Sequence, residues 1–314
     1  MSYTAVTKGS DANPAQTLVS DLNTILLAAG YTNESDSPWT SGAKYARIWK
    51  SAAANNSSGI DFFICAYYDS ATAVLVNLSV FETWDSANHK RRKYVPGASL
   101  NNAIPNASDN YCITDATGYL PDVGVTYVYT VDVNGSLTGY QYWISCTIDR
   151  LIIASRVSTD SCVYLGLVDN RLNTTDFPAA ADRLWQGYVG GVLSSRLAGG
   201  PSSEAGGYTR EVGQTAASWL NWGGWPGYDA TSFIYPVGCG LESYDWFYKS
   251  GWYANPAIIY SGLGSCAVPV ATMKDVYFCN RAAASNNGDT LTIDSKACVK
   301  MSYTSSKLWV DSTV

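Results

Sequence analysis

Charge, histidine and paired cysteines are what this chain has least of. Only 15% of its 314 residues are charged, against about a quarter in ordinary soluble proteins. The formal net charge is -6. Such a chain has too few cations to displace counterions from a phosphate backbone, so direct nucleic-acid contact is not expected. His89 is the only imidazole, in SANHKRRKYVPG. A Ser-His-Asp or Cys-His set would have to use it, and the four cations that follow it supply no orienting carboxylate, so a solvated histidine is the simpler reading. The eight cysteines fall singly with no CxxC pair, which removes the usual zinc and dithiol patterns. The glycines of GGVLSSRLAGGPSSEAGG form neither GxxxxGK[ST] nor a strand-GxGxxG-helix order, so no phosphate cradle is expected. No cofactor and no metal is expected. No apolar run approaches the roughly 20 residues of a membrane span. The opening MSYTAVTKGSDANPAQ lacks the pattern of a secretory signal, so a soluble product made in the cytosol is expected.

What the chain has in plenty is aromatic surface: 23 Tyr and 11 Trp. These rings cover area while losing few rotors, which suits core, subunit interface and sugar contact alike. Trp219, Trp222 and Trp225 fall three apart in SWLNWGGWPGYD, with Tyr228 after them, and YDWFYKSGWY holds Trp246 and Trp252. All six are interface candidates. The run Lys90, Arg91, Arg92 and Lys93 is the one concentrated positive patch, a solvated loop able to dock on an acidic neighbour.

One helix is signposted. Asn13 stands as N-cap, Pro14 at the first helical position and Gly30 at the C-terminal cap. Between them Leu18, Leu22, Ile25 and Ala29 form a stripe that must bury against a sheet. Most of the remaining pattern is β. Strands are expected over 44–50, 60–68 and 73–84, where β-branched and aromatic residues dominate. Residues 85–122, broken by Pro96, Pro105 and Pro121, read as a long contact-bearing loop. Asn134-Gly135 predicts a tight hairpin joining strands over 125–133 and 137–148. Residues 140–170 read as three successive strands, and 275–310 as a small antiparallel unit. Cys146, Cys162, Cys279 and Cys298 sit in strand-like runs, where a thiol behaves as a small buried hydrophobe. The alternative is a pair of disulfides, Cys146 with Cys162 and Cys279 with Cys298.

The expected fold is mainly β: an antiparallel sandwich-like core with one N-terminal α-helix and long loops. Residues 1–198 would hold the helix and main β-domain, and 199–314 the Gly/Trp-rich loop region and C-terminal β-unit. No repeat of period 20–50 is visible.

Several segments together resemble virion structural proteins of tailed bacteriophages. They are PAQTLVSDLNTILLAAGYT, IDFFICAYYD, VNLSVFETWD, PGAS at 96–99, YWISCTIDRLIIASRVSTDSCVYLGLVD and KDVYFCNRAAASNNGDTLTIDSKACVKMSYTSSKLWV. The most specific part is 142–168, with its Tyr-Trp pair, Arg-led apolar strand and closing Tyr-Leu-Gly strand. The resemblance implies a tail, neck or baseplate component, located in the virion, made in the host cytoplasm and partnered by copies of itself and other virion proteins. It implies no enzymatic role. One rival is a receptor- or carbohydrate-binding module of the same particle, with a host-surface glycan as partner and the Trp cluster as platform. Another is a cell-wall glycoside hydrolase, drawing two carboxylates from Asp61, Asp69, Glu82, Asp85, Glu204, Glu211, Glu242 and Asp245.

Overall fold

The helix forms where the stripe predicts it and buries that stripe between two sheets. The computed structural model describes residues 2–8, 11–34, 37–41, 44–59, 61–68, 70–81, 83–86, 90–92, 110–112, 129–132, 140–156, 160–169, 184–188, 208–210, 255–263, 266–278, 286–293, 295–301 and 308–313. Its first elements are β1 (Ser2–Lys8), α1 (Pro14–Ala28), β2 (Thr32–Asn33), β3 (Trp39–Ser41), β4 (Lys44–Ser51), β5 (Phe62–Tyr68) and β6 (Leu75–Phe81). Then come β7 (Thr83–Asp85), β8 (Lys90–Arg92), β9 (Asn110–Cys112), β10 (Tyr129–Asp132), β11 (Tyr140–Thr147), β12 (Arg150–Arg156) and β13 (Asp160–Asp169). The last are β14 (Leu184–Tyr188), β15 (Tyr208–Arg210), β16 (Asn255–Leu263), β17 (Cys266–Phe278), β18 (Thr290–Ile293), β19 (Lys296–Lys300) and β20 (Leu308–Asp311).

Gly30 ends α1 at φ +97. There Tyr31 N–H bonds Leu26 O at 3.0 Å and Gly30 N–H bonds Leu27 O at 3.1 Å, the paired closure that a left-handed residue permits. Asn13 stands at the N-cap, but its side chain makes no cap bond; its own N–H is held by Asp11 Oδ1 at 2.8 Å instead. Leu18, Leu22 and Leu26 are fully buried, each stabilising by roughly 2 kcal/mol.

The molecule is mainly β, with antiparallel sheets curled into a half-barrel and, among the described residues, one helix, α1, near the start of the chain. Among the described residues an eleven-stranded sheet runs β1-β11-β12-β13-β17-β20-β19-β18, with β14, β15 and β16 branching from it. A six-stranded sheet runs β10-β6-β5-β4-β2, with β3 beside β4. The two meet over one core that includes Trp49, Phe62, Ile64, Val76, Leu78, Tyr142, Ile144, Ile153 and Val163. Every residue of β5, FFICAYY, is buried. Its odd-numbered side chains Phe63, Cys65 and Tyr67 join Ala46 and Ile48 in a second cluster on the opposite face, as a central strand covered on both sides requires.

The large sheet curls far enough to lay its last turn on its second strand. Gly288, just before β18, has φ +90, and a Cβ there would lie 2.4 Å from Trp143 Nε1 of β11. The outer face of β11–β13 is therefore an interior: Trp143, Ser145, Arg150, Ile152, Cys162 and Tyr164 are all buried.

Two expectations are corrected here. The Asn134-Gly135 hairpin does not join β10 to β11. β10 pairs with β6 in the smaller sheet, while β11 has β1 on one edge and β12 on the other. With both edges of β11 filled, β10 has no place beside it, and residues 133–139 connect the two sheets. The stretch 85–122 is not loop throughout, since β8 and β9 lie within it, β8 pairing with β7 on one side and β9 on the other. The C-terminal strands form the antiparallel unit expected, and β13 pairs with β17 at Val168–Met273 and Asp169–Thr272, which carries the large sheet into it.

Candidate assembly surfaces and the buried polar junction

The aromatic interface candidates Trp219, Trp222, Trp225, Tyr228, Trp246 and Trp252 lie outside the described residues, as do Lys93 and His89. Lys90, Arg91 and Arg92 form β8, the middle strand of a three-stranded sheet, where a loop was expected. Register sets Lys90 opposite Asp85 of β7 and Cys112 of β9.

The predicted Cys146–Cys162 disulfide is not formed, and the Cys279–Cys298 pair reaches outside the described residues. Cys65, Cys146, Cys162 and Cys298 are all buried, and Cys279 lies outside the described residues. Cys146 faces Leu151 across β11–β12, and Cys162 faces Ala154 across β12–β13. The two thiols are thus two strands apart and offset along them, well beyond the roughly 7 Å Cα limit of a disulfide. Burial pushes the Cys146 thiol up to about 12, so it stays protonated and inert.

The structure instead builds a polar junction that the sequence reading did not single out. Arg150 opens β12 and is fully buried. Its Nε donates to Asp275 Oδ2 at 3.0 Å, and its Nη1 donates to Ser145 Oγ at 2.9 Å and Ser145 O at 3.2 Å. A buried guanidinium keeps its charge, so it must be paired. Asp275 makes this possible from β17, where its backbone takes φ 60. That is a left-handed position which Asp and Asn tolerate better than most residues. Beside it, Lys274 Nζ lies 2.6 Å from Asp149 Oδ2 in the β11–β12 turn and also bonds Ser57 Oγ. Ser57 N–H in turn donates to Asp149 Oδ1 at 2.8 Å.

Three segments therefore lock together: the loop after β4, the β11–β12 turn and β17. The loop is held in shape by Asn56, whose Oδ1 accepts from Ser58 N–H at 3.0 Å and Gly59 N–H at 3.1 Å while its amide donates to Ala52 O at 3.1 Å. Ser51 Oγ adds a bond to Ile148 O at 2.7 Å. Tyr164 completes the junction, donating to Leu167 O at 2.5 Å and accepting from Lys274 N–H at 3.3 Å. The one signal in the sequence was the pair of dipeptides Asp149-Arg150 and Lys274-Asp275, each placing charge inside or beside an apolar strand.

The other described ion pairs serve the same end. Lys50 Nζ reaches Asp61 Oδ2 at 2.5 Å across β4 and the start of β5, and Asp61 Oδ1 accepts Ala53 N–H at 2.7 Å. Lys296 Nζ reaches Asp311 Oδ2 at 3.2 Å between β19 and β20. Burial alone raises the carboxyls of Asp61, Asp149 and Asp311. In Asp61 and Asp149 hydrogen bonds from the paired lysine and a backbone N–H outweigh it, and in Asp311 the Thr313 hydroxyl and N–H do so with Lys296 behind them, so each carboxyl is held below its ordinary value.

A depressed folded-state value means stability that is complete above the unfolded carboxylate range, near about 4, and lost as pH falls through the folded value. Urea midpoints are accordingly expected to hold between pH 7 and 5 and to drop below pH 4, with Asp149→Asn weakening that acid dependence. An unchanged midpoint at pH 3 would contradict the assignment.

No protein-family model matches this chain, and no curated protein matches it. No helix among the described residues is long and apolar enough to cross a membrane.

Proposed function

We propose that the protein is a structural component of a tailed-bacteriophage particle, assembling through protein–protein interfaces into a tail, neck or baseplate oligomer. The observation that carries this reading is the use made of charge. Asp61, Asp149, Asp275 and Asp311 each hold a cation from another strand or segment. Asp61, one of the carboxylates a glycoside hydrolase would draw on, has both oxygens engaged and its carboxyl lowered. A general acid needs the opposite shift. A frame braced in this way suits a part that works by shape and burial.

The low charge, the abundance of Tyr and Trp and the resemblance over 142–168 support the same reading. Imaging the native particle with this chain traced in it is the direct test, and a particle without the chain would refute the proposal. Deleting residues 199–227 is expected to leave a folded monomer that no longer assembles, read by light scattering and by incorporation into particles. Normal stoichiometry in the particle would remove that segment as a contact.

A further inference from the structure

We infer that β1 is a pairing edge for a second copy of this chain, which adds its own β1 antiparallel about a two-fold axis at Ala5. β1 bonds β11 along one side, with seven residues in unbroken register from Ser2–Cys146 to Lys8–Tyr140. No strand among the described residues takes its other side. An open edge of this kind presents unpaired N–H and C=O groups to any strand that approaches, and natural sheets blunt such edges by shortness, charge, proline or bulges.

The other edges among the described residues carry those defences. β18 and β10 span four residues each, and β2, β3, β7, β9 and β15 two or three. β18 is preceded by Asp289, and β10 ends on Asp132. β16 is long, but it holds Pro256 and its pairing with β17 shifts register twice. Among the described edge strands only β1, SYTAVTK, is at once long, unbroken in register, free of proline and uncharged up to its last residue.

The same seven residues fit themselves. Pairing about Ala5 sets Ala5 against Ala5, Thr4 against Val6, Tyr3 against Thr7 and Ser2 against Lys8. Small and β-branched residues meet, and no like charges stand opposite, which favours the antiparallel pair. An interface on a two-fold axis must be self-complementary in this way. Ala5 and Thr7 are exposed, whereas Tyr3 and Val6 pack partly onto the core. The pairing therefore leaves the monomer's interior untouched. The inference rests on the assembly reading only for the presence of further copies.

Sedimentation velocity on the full chain, with Ala5→Lys and Ala5→Glu variants, tests it. The wild type is expected to show a concentration-dependent dimer. Each variant alone should raise the dimer dissociation constant at least about tenfold, because like charges then face each other at the axis. Mixing the two variants should restore pairing, which a merely destabilised fold would not do. Unchanged circular dichroism and melting confirm that the variants fold. A wild type that stays monomeric at high concentration overturns the inference, and so does an Ala5→Lys chain that pairs as the wild type does. Particles that incorporate Ala5→Lys normally refute β1 as the seat while leaving the virion reading intact. A β1-dependent dimer that never enters particles does the reverse.

Discussion

Gly166→Ala is expected to yield little folded protein. Gly166 lies opposite Arg150 in the β12–β13 register, at φ +138, and a Cβ built there would lie 2.4 Å from Asp149 O and 2.7 Å from Arg150 Cα. Both neighbours are backbone, so no side-chain rotation relieves the clash. The strands would have to separate at their paired end, losing the 2.8 Å bond from Leu167 N–H to Asp149 O and displacing Arg150 from its partners. A loss of at least about 4 kcal/mol is expected, in the range reserved for disrupted cores and strained backbone. Gly59→Ala is the control: it too has positive φ, +73, but nothing lies within 4 Å of its added Cβ, so only the left-handed penalty of about 1–2 kcal/mol applies. Equilibrium denaturation of both variants would decide, and a Gly166→Ala protein as stable as Gly59→Ala would contradict the packing described for β12 and β13.

Asp275→Asn is the second large effect. Asparagine keeps the shape and accepts φ 60 nearly as well, so the substitution removes charge and little else. It leaves a fully buried guanidinium that cannot deprotonate and has lost its counter-ion. Stripping one partner from a buried pair costs roughly 3–5 kcal/mol. The Lys50–Asp61 pair is more open, its side chains 30% and 41% exposed, and Asp61→Asn is expected to cost at most about 1 kcal/mol. A urea denaturation series on the two asparagine variants separates these values; equal losses would mean that Arg150 is not held by Asp275 as described.

The helix was legible because its signals are local: Pro14 at the start, Gly30 at the end and a leucine stripe between. β11, β12 and β13 were legible for a similar reason, since apolar β-branched runs of that length have few other outcomes. The misplaced hairpin shows the limit. Asn134-Gly135 has the dihedral preferences of a tight turn, yet a turn signal says nothing of which edges are free, and β1, more than 130 residues away in sequence, occupies the edge of β11 that β10 would have needed. The Cys146–Cys162 pair shows it again. Cys146 and Cys162 looked like neighbours on flanking strands, but register, a property of paired backbones, holds them apart.

From composition and pattern alone came the β-rich character, the position of α1 and the strands at the centre of the large sheet, because propensity and hydrophobic period act over a few residues. Tertiary structure alone brought Asp275 to Arg150 and Lys274 to Asp149, each 125 positions apart. It also left β1, among the described strands, as a long edge without those defences. A charge can be neutralised, or a strand left without a neighbour, only by what the rest of the chain brings beside it.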